Sequence, residues 1–182
     1  MFGRKAQRKV IVNQLKAEID TNQGIREDQR GYNVIATPGY PELISNMINL
    51  NTDRNNTAFI VGDTPFRLEG NATAIQNYAN NSANATTDGE DGLVSSSDHL
   101  GVFYPSGQST DNAGNTIVVP PSHMMLRVLA NNDNVAFPWF APAGTRRGVV
   151  DNATSVGFID ASTGEFNPVS YTHLRAHETQ RY

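Results

Sequence analysis

The 182-residue chain contains no cysteine, and this absence excludes several kinds of structure and chemistry. Without thiols there is no disulfide framework, no cysteine-ligated zinc site and no thiol nucleophile, a composition that suits folding in a reducing cytoplasm. Long hydrophobic runs are also missing. The longest mostly apolar stretch, residues 135–143, is interrupted by proline and is shorter than the about 20 apolar residues that span a bilayer. We therefore expect neither a disulfide-stabilised secreted protein nor a membrane-inserted one.

Motifs for nucleotide chemistry are absent as well. The chain has neither a G-x-x-x-x-G-K-[ST] phosphate loop nor a G-x-G-x-x-G fingerprint. Its formal net charge is −4, and no basic run is interleaved with aromatic residues, which argues against a nucleic-acid surface. DGEDG, residues 88–92, lacks the spaced oxygen ligands of a calcium loop and is interpreted as a solvated acidic turn. We expect no cofactor, no metal site and no nucleic-acid partner.

What the sequence does contain is an alternation of strand and helix patterns. Apolar spacing predicts helices over residues 6–20, 41–50, 72–79 and onward from the prolines at 120 and 121. Short apolar runs bounded by turn residues predict strands over 32–36, 57–62, 100–104 and 116–119. In the first helix, Ile11, Val12, Leu15 and Ile19 are expected to share one face. The alternation predicts an α/β domain with a mainly parallel sheet flanked by helices, and a partner surface at the carboxyl ends of its strands.

Residues 80–99 are rich in Asn, Ser, Gly and acid, and are predicted to form an exposed polar loop. Its end, SSSDHL, places Ser, Asp and His side by side, and His123 follows Ser122, so a hydrolase is an alternative to weigh. Adjacent residues in a flexible loop point apart, whereas a working triad is assembled from distant segments. The G-x-S-x-G elbow is also missing. We expect His99 to be a solvated loop residue, His123 a helix-start residue, and neither to be catalytic.

The last residues differ in character from the rest of the chain. VSYTHLRAHET, residues 169–179, has no clean helical or strand period and resembles one reading frame of a transposase-type sequencing adapter. We expect a native domain over residues 1–167 and an adapter-derived segment over residues 168–182. That interpretation removes His173 and His177 from the candidates for catalysis or metal binding. A genuine basic tail with a His-x3-His pair is the alternative.

FPWFAPAGTRRG, residues 137–148, holds the only tryptophan, two prolines and two adjacent arginines. Each proline removes a backbone donor, which excludes a long helix and argues against a central strand, so we expect the aromatic residues on irregular chain. Three aromatic rings can bury a large apolar area, and the arginines suit carboxylate or phosphate partners. A packed segment, a pocket and a surface covered by another protein all remain open.

Five segments form an ordered series: PGYPELISNM (38–47), NTAFIVGDTP (56–65), LGVFYPSG (100–107), VVPPSHMMLRVLANND (118–133) and FPWFAPAGTRRGVV (137–150). Their order and spacing resemble the tail sheath proteins of contractile-tailed bacteriophages over nearly all of residues 5–160. The most specific parts are the PPS helix start at 120–122, Asp133 eleven residues later, and W-x-APAG from Trp139 to Gly144.

The resemblance implies a domain with subtilisin-like topology and no enzymatic activity. It implies a structural subunit that stacks in rings around the tail tube and contracts from an extended to a shorter helix, driving the tube through the host envelope. Further implied partners are the tail tube, baseplate and tail terminator proteins, with assembly in the host cytoplasm and a final place in the virion tail. Because sheath subunits usually continue into a C-terminal domain, the resemblance also implies that a portion is missing here.

The sheath of a related bacterial contractile injection machine is the near alternative, and an α/β hydrolase is the less favoured one. Under the sheath interpretation, FPWFAPAGTRRG is expected to be packed structural chain in which Trp139 anchors the loop against the domain. Arg146 and Arg147 are then the candidate contacts between subunits.

Overall fold

The computed structural model describes residues 2–27, 30–137 and 139–169, except for the side chains of Phe2 and Arg146. Its helices are α1 (Phe2–Thr21), α2 (Gln23–Arg26), α3 (Ile44–Asp53), α4 (Ala72–Ala79), α5 (Pro121–Val135) and α6 (Gly144–Arg147), with a 3₁₀ helix at Pro41–Leu43. Its strands are β1 (Val34–Ala36), β2 (Phe59–Asp63), β3 (Leu100–Phe103), β4 (Ser106–Thr110), β5 (Thr116–Val119), β6 (Ser155–Ile159) and β7 (Phe166–Pro168). The protein is a mixed α/β structure.

The first three strands form a parallel sheet in the order β1-β2-β3. Ile35 of β1 is level with Ile60 of β2, and Ile60 is level with Leu100 of β3. The 3₁₀ helix and α3 connect β1 to β2, as parallel pairing requires, since a two-residue turn cannot return the chain to the same end. Ile60 and Val61 in the central strand are almost completely buried, which explains the continuous apolar run in the sequence. The predicted parallel strand–helix–strand unit is confirmed.

The last four strands form a second sheet that is entirely antiparallel, in the order β5-β4-β6-β7. The prediction of a mainly parallel sheet is therefore wrong for this half of the described fold. Residues 116–119 were expected to continue the parallel sheet, but they pair back onto β4 through the short turn at 111–115. Asp111 closes that turn by accepting the backbone N–H groups of Ala113 and Asn115. A turn of this length produces a hairpin, because a parallel crossover needs a dozen residues or more.

Two apolar clusters hold these layers together. The larger lies between the parallel sheet and α3, and partly buried side chains of α1 and α2 pack against it. Its buried members are Ile35, Ile44, Met47, Leu50, Ala58 and Ile60. The smaller consists of Val119, Met124 and Val156 and joins α5 to the antiparallel sheet. Because α5 also packs on β2 and β3, it is the element that both sheets share.

Helix α1 is longer than predicted, and its apolar face is only partly the expected one. Val12 is buried, but Ile11 is 47% exposed. The helix packs on α3 and the 3₁₀ helix through the side that carries Val12 and Arg8. The Arg8 guanidinium donates to both carboxylate oxygens of Glu42, at 2.7 and 2.8 Å, and to the carbonyl of Gly39 at 2.9 Å. This polar contact belongs to the packed side of the helix, which apolar spacing alone does not predict.

The polar loop at residues 80–99 contains no helix or strand in the structure, as predicted. Most of the loop is at least partly exposed, but the solvated turn predicted for residues 88–92 is wrong for Asp88, which is only 5% exposed. Its Oδ1 accepts the backbone N–H groups of Val94 and Ser95, at 2.7 and 2.9 Å. A buried carboxylate therefore fixes the middle of the loop, while Glu90 and Asp91 beside it remain exposed.

Strands β6 and β7 were not predicted from the sequence, and β7 reaches Pro168, which is level with Gly157. Residues 170–182, including His173 and His177, lie outside the described residues, so the adapter-derived interpretation of 168–182 remains a prediction. Within the ranges that the structure describes, no helix combines the length and apolarity needed to cross a membrane.

Candidate assembly surface

A buried carboxylate fixes the start of α5, the helix that leads into FPWFAPAGTRRG. Asp63, the last residue of β2, accepts the backbone N–H of Ser122 at 2.6 Å and the Ser122 hydroxyl at 2.8 Å. It also accepts the backbone N–H of Gly39, in the turn after β1, at 2.6 Å. Pro121 occupies the first turn of α5, where its missing N–H leaves no helical bond unmade. One carboxylate thus joins β2, the turn after β1 and the first turn of α5.

Burial raises the pKa of the Asp63 carboxyl group, and the hydrogen bonds from Gly39 and Ser122 oppose that rise. Ser122 is completely buried and its hydroxyl proton is directed to Asp63, so the pair is a structural contact in this geometry. Sequence reasoning missed Asp63. Two signals could have found it: an aspartate directly after a buried strand run, and a helix start whose free N–H groups favour a negative charge.

A buried amide fixes the other end of α5. Asn132 is 4% exposed, and its Nδ2 donates to the carbonyl of Phe140 at 3.1 Å. The helix ends where the Ala136 N–H bonds the Asn132 carbonyl, and a turn between Phe137 and Phe140 follows. The backbone of FPWFAPAGTRRG is therefore held against the last turn of α5, with the short helix α6 at its end. Residues 137 and 139–143, before α6, form no helix or strand, as predicted for the aromatic part of the segment.

The aromatic side chains of this segment face solvent. Phe137 and Trp139 stack with ring centroids 4.9 Å apart, and Phe137 and Phe140 lie 6.2 Å apart. Their exposed fractions are 61% for Phe137, 76% for Trp139 and 43% for Phe140. The prediction that Trp139 anchors the loop against the domain is wrong, because the ring packs on Phe137 and not on the domain core.

Arg147 lies beside the aromatic rings, with its guanidinium carbon 4.6 Å from the centroid of Phe140. This distance allows a cation–π attraction. Together with Phe137, Phe140 and the end of α5, Arg147 lines an open groove of about 970 Å³, which we call the aromatic groove. Arg146 belongs to α6, and its side chain is outside the description. The role of Arg146 and Arg147 as contacts between subunits remains a prediction.

His99 and His123 are not among the residues that line the aromatic groove, and they lie in different segments of the chain. His99 is half-buried before β3, and His123 is exposed in the first turn of α5. Ser122 precedes His123 in the chain, but its hydroxyl is directed to Asp63. In the part of the chain that is described, no group of three or more acidic or histidine side chains could hold a metal ion.

The stretch from residue 135 to 150 contains six large apolar side chains that are more than a third exposed: Val135, Phe137, Trp139, Phe140, Val149 and Val150. Scattered exposed apolar residues are normal, whereas a group of them within one segment is a candidate binding surface. No protein-family model matches the chain, and no curated protein matches it either. This surface is the main structural feature on which a functional inference can rest.

Proposed function

We propose that this protein is a structural subunit that polymerises, and that the polymer is the contractile tail sheath of a bacteriophage. The resemblance of five ordered segments to sheath proteins supports the sheath, and the exposed aromatic surface supports polymerisation. A subtilisin-like topology, in which the described α/β layers would be part of a larger sheet arrangement, belongs to the same proposal.

The observation that carries the proposal is the exposure of Trp139, at 76% of its surface. A tryptophan that stays in solvent forgoes the large stabilisation that burying its ring would give the fold. Tryptophan and arginine are also enriched where proteins bind each other. The ring lies on a segment held by α5 and Asn132, so its exposure belongs to a fixed surface. Such a surface fits a subunit whose neighbours complete its apolar burial.

Polymerisation into a helix requires a particular kind of contact. Heterologous contacts, in which one surface of a subunit binds a different surface of the next, produce open filaments when the rotation does not close. Contraction is then a change between two packings of nearly rigid subunits, and it proceeds downhill when the contracted packing buries better-matched surface. The two sheets that share α5 suit a subunit that moves as one unit.

The proposed partners follow from that role. They are further copies of this chain, the tail tube that the sheath surrounds, and the baseplate and terminator proteins at its ends. The sheath would assemble in the host cytoplasm and function in the virion tail. Its function requires subunit contacts, and neither catalysis nor a cofactor enters it.

Electron microscopy of the expressed protein tests the proposal. The sheath proposal predicts striated helical tubes or stacked rings at high protein concentration. Protein that stays strictly monomeric at every concentration reached would contradict it. A bacterial injection-machine sheath would form similar tubes and is distinguished by the genes that flank its coding sequence.

A further inference from the structure

The charges of the chain are divided unevenly along its length. The chain has 14 basic residues, but none lies between Arg67 and Arg127. The same stretch contains the acidic residues Glu69, Asp88, Glu90, Asp91, Asp98 and Asp111. In contrast, residues 136–148 contain two arginines and no acidic residue. The acidic stretch and the aromatic segment are therefore complementary in charge.

The acidic turn, residues 88–92, lies at the carboxyl end of the parallel sheet. A Cβ atom at Gly89 would lie 3.5 Å from Cγ of Glu42, in the 3₁₀ helix that follows β1. Burial raises the pKa of Tyr78, and the charges of Asp88, Glu42 and Asp63 raise it further. Because Asp88 and Asp63 both act on Tyr78, Asp88 lies in the same region as the end of β2. Asp88 fixes the turn from inside, so the neighbouring exposed carboxylates have a defined position.

The aromatic groove lies at the opposite end of the sheet. Helix α5 begins at the carboxyl end of β2, through the bond from Ser122 to Asp63, and packs across β2 and β3. It contains 15 residues, so at 1.5 Å per residue its far end lies about 22 Å away. The groove is formed by the chain that leaves this far end. The two complementary surfaces therefore lie near opposite ends of α5.

The charges on both surfaces are available to a partner. The charge of Glu90 contributes to the raised pKa of Arg8, but the hydrogen bonds of Arg8 are made to Glu42 and Gly39. In the described part of the chain, no ion pair involves Glu90, Asp91 or Arg147. A carboxylate at the groove would reach Arg147 without displacing an existing ion pair.

We propose that the acidic turn of one copy docks into the aromatic groove of the next, with Asp91 and Glu90 beside Arg147. This inference rests on the proposed function, because it names the contact through which the subunits polymerise. Each copy carries both the acidic turn and the groove, so the contact repeats head to tail and produces an open filament when the rotation between copies does not close a ring.

The two parts of this contact have different effects. An exposed ion pair alone contributes little to affinity, because water and salt screen it. The rings of Phe137 and Trp139 exclude water around the charges and provide the apolar area that becomes buried. The charges set the orientation and the encounter rate of the two copies, and the rings slow their separation.

Sedimentation velocity of the full chain, over a concentration series, tests the contact. Arg147→Glu and Asp91→Arg each place like charges together, and each is expected to weaken self-association by about tenfold or more. In the double variant the negative charge lies at position 147 and the positive charge at position 91, so the attraction is restored and most of the wild-type association should return. Lys16→Glu, in α1 and outside both surfaces, makes the same change of charge as Arg147→Glu and should associate like wild type. Unchanged thermal unfolding of each variant shows that the fold is intact.

The possible results separate this contact from the proposed function. If wild type associates and both single variants associate equally well, the docking contact is wrong while polymerisation stands. If the double variant stays as weak as the single ones, the two residues do not meet, and another partner of the groove is indicated. If wild type remains monomeric throughout, the docking contact and the proposed polymerisation both fail.

Discussion

Two buried charged side chains hold together segments that are far apart in the sequence. Asp63 joins the end of β2 to the first turn of α5, as described above. Arg54, 3% exposed at the end of α3, has its guanidinium carbon 4.0 Å from the centroid of Tyr32. It also donates to three backbone carbonyls, one in α2 and two in the segment after it: Ile25 at 3.2 Å, Glu27 at 2.7 Å and Arg30 at 3.0 Å. In each case one charged side chain forms hydrogen bonds with several backbone groups: Asp63 accepts N–H groups, and Arg54 donates to carbonyls.

Asp63→Asn should lower the free energy of unfolding by about 1–3 kcal/mol, because an amide nitrogen cannot accept the donors that the second carboxylate oxygen accepts. Urea denaturation at neutral pH measures this loss. Asp98→Asn, an exposed residue with the same chemical change, is the control and should change the free energy by less than about 0.5 kcal/mol. Equal effects of the two substitutions would show that Asp63 does not join these segments.

The loss caused by Asp63→Asn should depend on pH in a defined direction. The pKa of Asp63 is raised in the folded state above its ordinary value of 3.8, so the folded protein binds this proton more tightly than the unfolded chain does. The contribution of Asp63 to the free energy of unfolding therefore falls as pH rises from 3.8 through the raised value, and is constant above it. Denaturation at about pH 3 and about pH 7 should give the larger loss at the lower pH. A larger loss at the higher pH would show that the folded pKa is depressed.

Arg54→Lys should destabilise the fold by about 2–3 kcal/mol although it conserves the charge, since an ammonium group cannot reproduce a planar fork of donors. Chemical denaturation compares it with Arg67→Lys, the same substitution at an exposed position. A variant as stable as the control would indicate that the carbonyl contacts of Arg54 contribute little.

Strand patterns explain which elements were predictable. The parallel strands β1, β2 and β3 are short apolar runs bounded by turn residues, and they were found within about two residues. Strand β4 is Ser-Gly-Gln-Ser-Thr and has no apolar residue to indicate a strand. It forms because β5 and β6 pair with it on both sides, a condition that only the folded chain reveals. The pairing direction of β5 was missed because the length of its turn, and not its composition, decides it.

The pairing of β6 with β7 depends on a glycine at position 157. A Cβ atom there would collide with the backbone carbonyl oxygen of Asn167. Gly157→Ala should therefore separate the two strands and destabilise the fold by about 1–3 kcal/mol. Hydrogen exchange would show faster exchange of the Val169 amide, which donates to the carbonyl of Val156. Gly3→Ala, on exposed helix with no atom within 4 Å of the added carbon, should leave this exchange unchanged.

At the scale of the whole molecule, the sequence predicted the composition of the candidate assembly surface better than its exposure to solvent. It predicted that FPWFAPAGTRRG is irregular, aromatic and basic, because prolines and arginines decide that locally. It did not predict that Trp139 would be exposed, because exposure depends on what the rest of the fold offers as a packing partner. Helix α5 ends at Val135, and no helix or strand of the described residues covers the Trp139 ring.

The uneven distribution of charge along the sequence becomes a spatial separation of charge only in the folded chain. The sequence places the acidic turn and the arginines of α6 in separate regions, but their location near opposite ends of α5 follows from the direction of that helix. A molecule with complementary ends is suited to head-to-tail growth, which neither end alone implies. The Asp63 contact at the start of α5 and the Asn132 contact at its end hold these two surfaces at a fixed separation.

Quenching of Trp139 fluorescence by acrylamide, followed as the protein assembles, tests the central claim most directly. Trp139 is the only tryptophan, so its emission reports this surface without interference from another indole. At low concentration the exposed ring should be quenched readily and emit at long wavelength. On assembly the emission should shift to shorter wavelength and the quenching constant should fall several-fold, because a neighbouring copy covers the ring. Assemblies in which Trp139 remains as accessible to acrylamide as in the monomer would contradict the claim that this surface joins the subunits.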